Sequence, residues 1–137
     1  MQKLCIDVLI VELRIEVVMR VIVAGSRDFN DYDLVEKTLL TYFKAHHLHN
    51  KDVEIVSGGA RGTDKLGEQF AKKCGLKLTK FPADWNKYGK AAGPIRNEEM
   101  AKYSDMLFAF WDGYSKGTKN MIELAKQYEL LINVSYI

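Results

Sequence analysis

Several protein classes are ruled out by what this chain is short of. Among its 137 residues there are only two cysteines, Cys5 and Cys74, far apart in sequence and without partners at metal-ligand spacing. That excludes a disulfide framework and fits reduced thiols in a cytoplasmic protein. Cys74 follows Phe70 by four residues and Leu66 by eight, the spacing of one packed helix face, so it reads as core and not as a nucleophile. Net charge is also scarce. Twenty basic side chains against 18 acidic ones leave a formal charge of +2, a weak drive toward nucleic acid or an anionic membrane except through a local basic pocket. No apolar run is long enough to span a bilayer or serve as a secretion signal, because Asp7, Glu12, Arg14 and Glu16 break up the stretch around residues 8–11. Solenoid repeats and low-complexity segments are missing as well.

What is present is enough for one domain. A hydrophobic content of 47%, with 11% aromatics, supplies a packed core at this length. The compact part is expected from residue 19 to 137, with Met19 a candidate second start and residues 1–18 an extension. Positions 11–17 alternate strictly between apolar and charged, the pattern of a strand with one wet face. The extension is expected to form an edge strand, to pair across a homo-oligomer, or to stay mobile.

From residue 20 onward strands and helices alternate. Residues 20–24 (RVIVA), 53–56, 76–81, 105–111 and 130–136 read as strands, and the near-continuous apolar character of the first and fourth is that of strands covered on both faces. Between them come a helix capped by Asp31 or Asp33 and running to about His47, a second carrying Leu66, Phe70, Ala71 and Cys74 and ending at Gly75, a short third begun by Pro94, and a fourth carrying Met121, Ile122, Leu124, Ala125 and Tyr128. Residues 82–93 lack periodicity and are expected to form a long functional loop. This order predicts a Rossmann-like α/β three-layer sandwich, a mostly parallel five-stranded sheet with helices on both faces.

Three glycine-rich turns each follow a strand and open a helix: GSRDF at 25–29, SGGARGTD at 57–64 and WDGYSKGT at 111–118. In an open parallel sheet such turns meet beyond the carboxyl ends of the strands, where free backbone N–H groups and helix dipoles receive an anion. The expected ligand contacts are Gly25, Ser26 and Arg27; Ser57, Gly58, Gly59, Arg61, Gly62, Thr63 and Asp64; and Asp112, Ser115, Gly117 and Thr118, with Lys116 a further cation in the third turn. Arg96 and Asn97 join them, Arg96 reaching a phosphate or else pairing with Glu98 or Glu99 on a solvated face. Trp85, Tyr88, Trp111 and Tyr114 either stack on a base or cap the core. His46, His47 and His49 sit at a helix carboxyl end, where the dipole and solvent account for them without a metal. Neither Gly-x-Gly-x-x-Gly after the first strand nor Gly-Lys-Ser/Thr occurs, which counts against an ordinary dehydrogenase or P-loop ATPase.

GSRDF, SGGARGTD, GPIRNEEM at 93–100 and the Trp-Asp-Gly, Ser115 and Gly-Thr elements of the third turn occur in the order of the YspA-like branch of the SLOG superfamily, which the chain resembles from Met19 to its end. The resemblance implies a Rossmann-like domain for a nucleotide or nucleotide-derived small ligand, a sensor or signalling role, and no required cofactor. Two other branches offer analogies. The cytokinin-activating phosphoribohydrolases share a Gly-Ser turn, an Arg followed four residues later by Met, as in Arg96 and Met100, and a Gly-Thr, as in Gly117 and Thr118. Their catalytic Glu, three residues past the Thr, is replaced here by Met121. An N-glycosidic or phosphate-bond hydrolase would then need Glu98, Glu99, Asp64 or Asp112 in its place, and nothing in the spacing selects one. The DNA-processing protein A branch, which handles single-stranded DNA, has a second turn like SGGARGTD. Scattered lysines make nucleic acid the weaker partner.

Overall fold

The computed structural model describes residues 18–137, so the expectations for Cys5 and the alternating segment fall outside the described residues. Five strands, β1 (Met19–Gly25), β2 (Val53–Ser57), β3 (Lys77–Lys80), β4 (Met106–Trp111) and β5 (Leu131–Tyr136), form one sheet in the order β3-β2-β1-β4-β5. Every neighbouring pair is parallel. The expected five-stranded Rossmann-like sandwich is the fold observed.

Alternation along each central strand feeds two cores. Val21 and Val23 of β1, Val53 and Ile55 of β2, and Met106, Phe108 and Phe110 of β4 pack on one face, under helices α1 (Tyr32–Ala45) and α2 (Thr63–Cys74). Their neighbours Ile22, Ala24, Val56, Leu107 and Ala109 pack on the other, with α4 (Ala92–Tyr103) and α5 (Lys116–Gln127). Burial on both faces is why RVIVA and MLFAFW lack polar alternation, each large side chain adding about 1.5 to 3 kcal/mol. Cys74 is half-buried against the first core.

Helix boundaries follow local chemistry. Asp31, not Asp33, caps α1, its Oδ1 accepting the Leu34 N–H at 3.0 Å. Gly75 ends α2 in the left-handed conformation. The stretch expected to be a long loop is instead a short helix, α3 (Trp85–Tyr88), a 3-10 turn (Gly89–Ala91) and the start of α4. Asp84 caps α3 by accepting the Lys87 N–H at 3.1 Å. A helix of barely one turn is too brief to show an apolar period.

Two consecutive crossovers, through α1 and α2, lie on one face, and the next two, through α4 and α5, on the other. The chain therefore diverges at the carboxyl ends of adjacent β1 and β4, which opens a crevice there.

Candidate functional site at the sheet's switch point

The three glycine-rich turns meet in this crevice and enclose an open cleft of about 440 Å³. Ser26 is the joint between them. Its carbonyl accepts the Thr63 N–H at 3.3 Å and the Thr63 hydroxyl at 3.0 Å, tying the first turn to the second. Its hydroxyl lies 3.1 Å from the Ser115 hydroxyl and accepts the Asp112 N–H at 3.2 Å, tying the first to the third. Gly62 is needed where first and second turns touch: it has φ of +78°, and a side chain there would collide with the Arg27 carbonyl.

The carboxylates around the cleft differ in how far they are committed. Asp112 accepts the N–H groups of Tyr114 and Ser115 at 2.8 and 2.7 Å and the Ser115 hydroxyl at 2.8 Å. These bonds, led by the Ser115 N–H, hold its pKa down at about 2. It braces the third turn and stays ionised at neutral pH. Asp28 pairs with Arg61 at 3.3 Å in an exposed contact that solvent screens. Asp64 is buried and accepts one backbone N–H, from Ala60 at 3.1 Å. Burial raises its pKa to about 6, against the pull of that N–H and of the Arg96 charge.

Arg96 is only 9% exposed, and no carboxylate among the described residues pairs with it. Its Nε donates to Asn97 Oδ1 at 3.0 Å and its Nη1 to the Gly58 carbonyl, and Nη2 has no acceptor among the described residues. Asn97 in turn donates to Asn120 Oδ1 at 2.9 Å. The alternative of a surface ion pair is not what is observed: neither Glu98 nor Glu99 pairs with Arg96, and Glu98 lies outside the cleft, accepting from the Tyr128 hydroxyl at 2.7 Å and pairing with Lys102 at 3.5 Å. Across the cleft, the first turn of α5 presents the N–H groups of Lys116, Gly117 and Thr118, which no acceptor among the described residues engages.

Of the residues expected at the ligand, Gly25, Ser26, Arg27, Arg61, Asp64, Arg96, Asn97, Asp112, Ser115, Gly117 and Thr118 line the cleft. Gly58 and Gly59 line an adjoining hollow. Ser57, Gly62 and Thr63 line neither. Ser57 donates to Glu68 Oε2 at 2.7 Å and accepts the Gly59 N–H at 3.0 Å, so it shapes the second turn from beneath. Asp28, Ala60 and Met121, together with Ala24 and Met100, line the cleft without having been singled out as contacts. The first two sit inside the motifs already noted, while Met121 reads in sequence as an ordinary buried helix position. The aromatics divide: Trp111 donates to the Ser115 carbonyl at 3.1 Å and packs on Tyr136, Tyr88 and Tyr114 are exposed, and Trp85 lines the hollow.

A parallel sheet of this order, with a cleft of mixed charge where its crossovers diverge, defines a Rossmann-like α/β domain of the doubly wound kind. The chain belongs to the YspA, cpYpsA-related SLOG family, whose model matches residues 19–88. It is similar to the Gene 61 protein of Mycobacterium phage D29, 34% identical over 116 residues that cover 79% of this chain and 89% of the relative. Among solved structures it is similar to DNA processing protein A from Streptococcus pneumoniae, with a TM-score of 0.67 and 19% identity over 88% of this chain and 51% of that one. The same protein from Helicobacter pylori, described for its single-stranded DNA binding mode, gives 0.64 and 18% over 88% and 66%. The chain thus spans between half and two thirds of those structures, and the likeness is one of fold. None of the described helices is long and apolar enough to cross a membrane.

Proposed function

We propose that the cleft binds the phosphate of a nucleotide or nucleotide-derived small ligand, and that the protein works as a sensing module that requires no further cofactor. The observation that carries this is the Arg96 guanidinium, buried with no carboxylate among the described residues at ion-pair distance, Asp64 being near but unpaired, and lining one cleft with the unengaged N–H groups of α5. A desolvated cation is costly unless paired, and a phosphate supplies the pairing. The helix dipole adds about 0.3 to 1 kcal/mol for each negative charge placed at its amino end.

Hydrolysis is the less supported reading. Met121 lines the cleft where a phosphoribohydrolase-type glutamate would stand, Asp112 is committed to its own turn, and Glu98 faces away. Asp64 alone remains as a candidate acid or base. Thermal denaturation with AMP, NAD and ADP-ribose, followed by chromatography for released base or sugar phosphate, tests both readings. Stabilisation without product is expected, and turnover would assign a hydrolase. Salt-sensitive retention of oligothymidylate with no response to these small ligands would move the protein to single-stranded DNA, as in the Helicobacter pylori neighbour.

A further inference from the structure

The cleft does not end at its arginines. A second hollow, also about 440 Å³, adjoins it and shares Arg27, Ala60, Arg61 and Arg96 as common walls. Its remaining lining contains no carboxylate: Gly58, Gly59, Pro82, Ala83 and the indole of Trp85. Trp85 is 51% exposed, an unusual exposure for so large an apolar ring. Its ring edge lies beside Gly93 at the start of α4, 3.5 Å from where a β-carbon would be, an ordinary packing distance. Asp84 fixes the turn that presents it.

The cleft itself holds two kinds of anion-binding group, guanidiniums and a helix amino end. Arg27 and Arg96 belong to both cavities, whereas Lys116, Gly117 and Thr118 of the α5 amino end line the cleft alone. A planar ring on Trp85, a shared ridge of guanidiniums and a helix amino end therefore follow one another along one continuous channel.

We infer that the ligand is a nucleoside 5′-diphosphate or a compound containing one, with its base stacked on Trp85 in the second hollow and its two phosphates running from Arg27 and Arg96 to the first turn of α5. This rests on the phosphate-binding reading of the cleft and adds to it a base subsite and a phosphate count. Each cavity falls in the size range of ordinary small-ligand sites, so neither has to open to accept its part. Trp85 is then a specificity-determining residue that sits outside the phosphate cleft.

The test is calorimetric titration of the full chain with ADP, AMP and inorganic pyrophosphate, repeated with Trp85→Leu, alongside tryptophan fluorescence. ADP is expected to bind roughly tenfold or more tightly than AMP. Trp85→Leu should weaken ADP by about fivefold or more, the lower end of what base–aromatic stacking contributes, abolish the fluorescence quench, and leave pyrophosphate unchanged. If pyrophosphate binds but Trp85→Leu leaves ADP unaffected, the base subsite is overturned and the phosphate cleft stands. Equal affinity for AMP and ADP overturns the phosphate count. If none of the three binds, the phosphate-binding reading falls together with this one. Trp85-dependent binding of oligothymidylate without ADP binding assigns the hollow to single-stranded nucleic acid and overturns the proposal.

Discussion

Glu54 and Asp64 are two carboxylates buried to nearly the same degree, 2% and 6% exposed, at opposite ends of β2 and its following turn, yet their acidities move in opposite directions. Burial pushes Glu54 up, but hydrogen bonds from the Tyr103 hydroxyl, from Lys77 at 3.2 Å and from Thr79 at 3.0 Å outweigh it, and the net shift is downward. Asp64 has one backbone N–H and a cation out of pairing range, so burial prevails and its pKa rises to about 6. Depth alone does not set the charge state of a buried acid; the number of donors supplied to it does. At that flank the Glu54 carboxylate is fully partnered, while the hydroxyl of Ser104, next in sequence to Tyr103, is buried without a partner. The switch-point cleft leaves an acid, a guanidinium and a helix amino end short of partners.

The largest expected effect tests the partnered carboxylate. Glu54→Ala leaves the Tyr103 and Thr79 hydroxyls and Lys77 without their acceptor, and should destabilise the chain by about 3 kcal/mol in urea denaturation. A loss below about 1 kcal/mol would mean the network is not a structural one.

Asp64→Asn should act the other way. The folded wild type holds the Asp64 proton up to about pH 6, while the unfolded chain releases it near 3.8, so the folded state binds more protons between those values. Wild-type stability credited to Asp64 is therefore complete below pH 4 and is lost as pH rises to 6, amounting to roughly 3 kcal/mol at most. The Asn variant should be more stable than wild type at pH 8, with the gap closing as pH falls to 4. Glu54 has the reverse dependence, because its lowered pKa confers stability above pH 4.5 that is lost in acid. A midpoint for Asp64→Asn that tracks wild type at every pH would show that Asp64 is better solvated than its burial implies.

Smaller stability effects and larger functional ones are expected inside the cleft. A β-carbon on Gly58 would sit within 3 Å of Arg96 Nη1 and Cζ and of Asp64 Oδ2. Gly58→Ala should displace both side chains and weaken AMP binding by about tenfold, while stability changes by about 1 kcal/mol or less. Arg96→Ala is expected to weaken AMP similarly, with little change in the empty protein, since losing its bonds to Gly58 and Asn97 is offset by releasing a desolvated charge. An empty protein that melts much earlier would make Arg96 structural. Ser26→Ala should cost a modest amount of stability, about 1 kcal/mol, the worth of one hydrogen bond, because the carbonyl that ties the first two turns together survives the change.

Much of the fold was legible along the chain, and the reason is repetition. Strands buried on both faces write continuous apolar runs, as in RVIVA and MLFAFW, and α5 writes a clean apolar stripe through Met121, Ile122 and Ala125. Helix α4 is harder to read. Its buried positions include Arg96 and Asn97 beside Met100 and Ala101, because half of its inward face forms cleft wall and half forms core. Helix α3 was missed because four residues cannot display a period.

By itself the sequence determined the class of fold, the order of its elements and the three glycine turns that had to gather at the strands' carboxyl ends, since periodicity and turn chemistry act over a few neighbouring residues. Only the tertiary structure decided which polar residues in those turns are already taken. Thr63 and Ser57 are consumed in joining and shaping the turns, Asp112 in bracing its own, and Arg96 is left buried and open to a guest. Whether a polar group is satisfied depends on partners brought from 38 residues away, as between Arg96 and Gly58, or 37, as between Thr63 and Ser26, and no local pattern records such pairings.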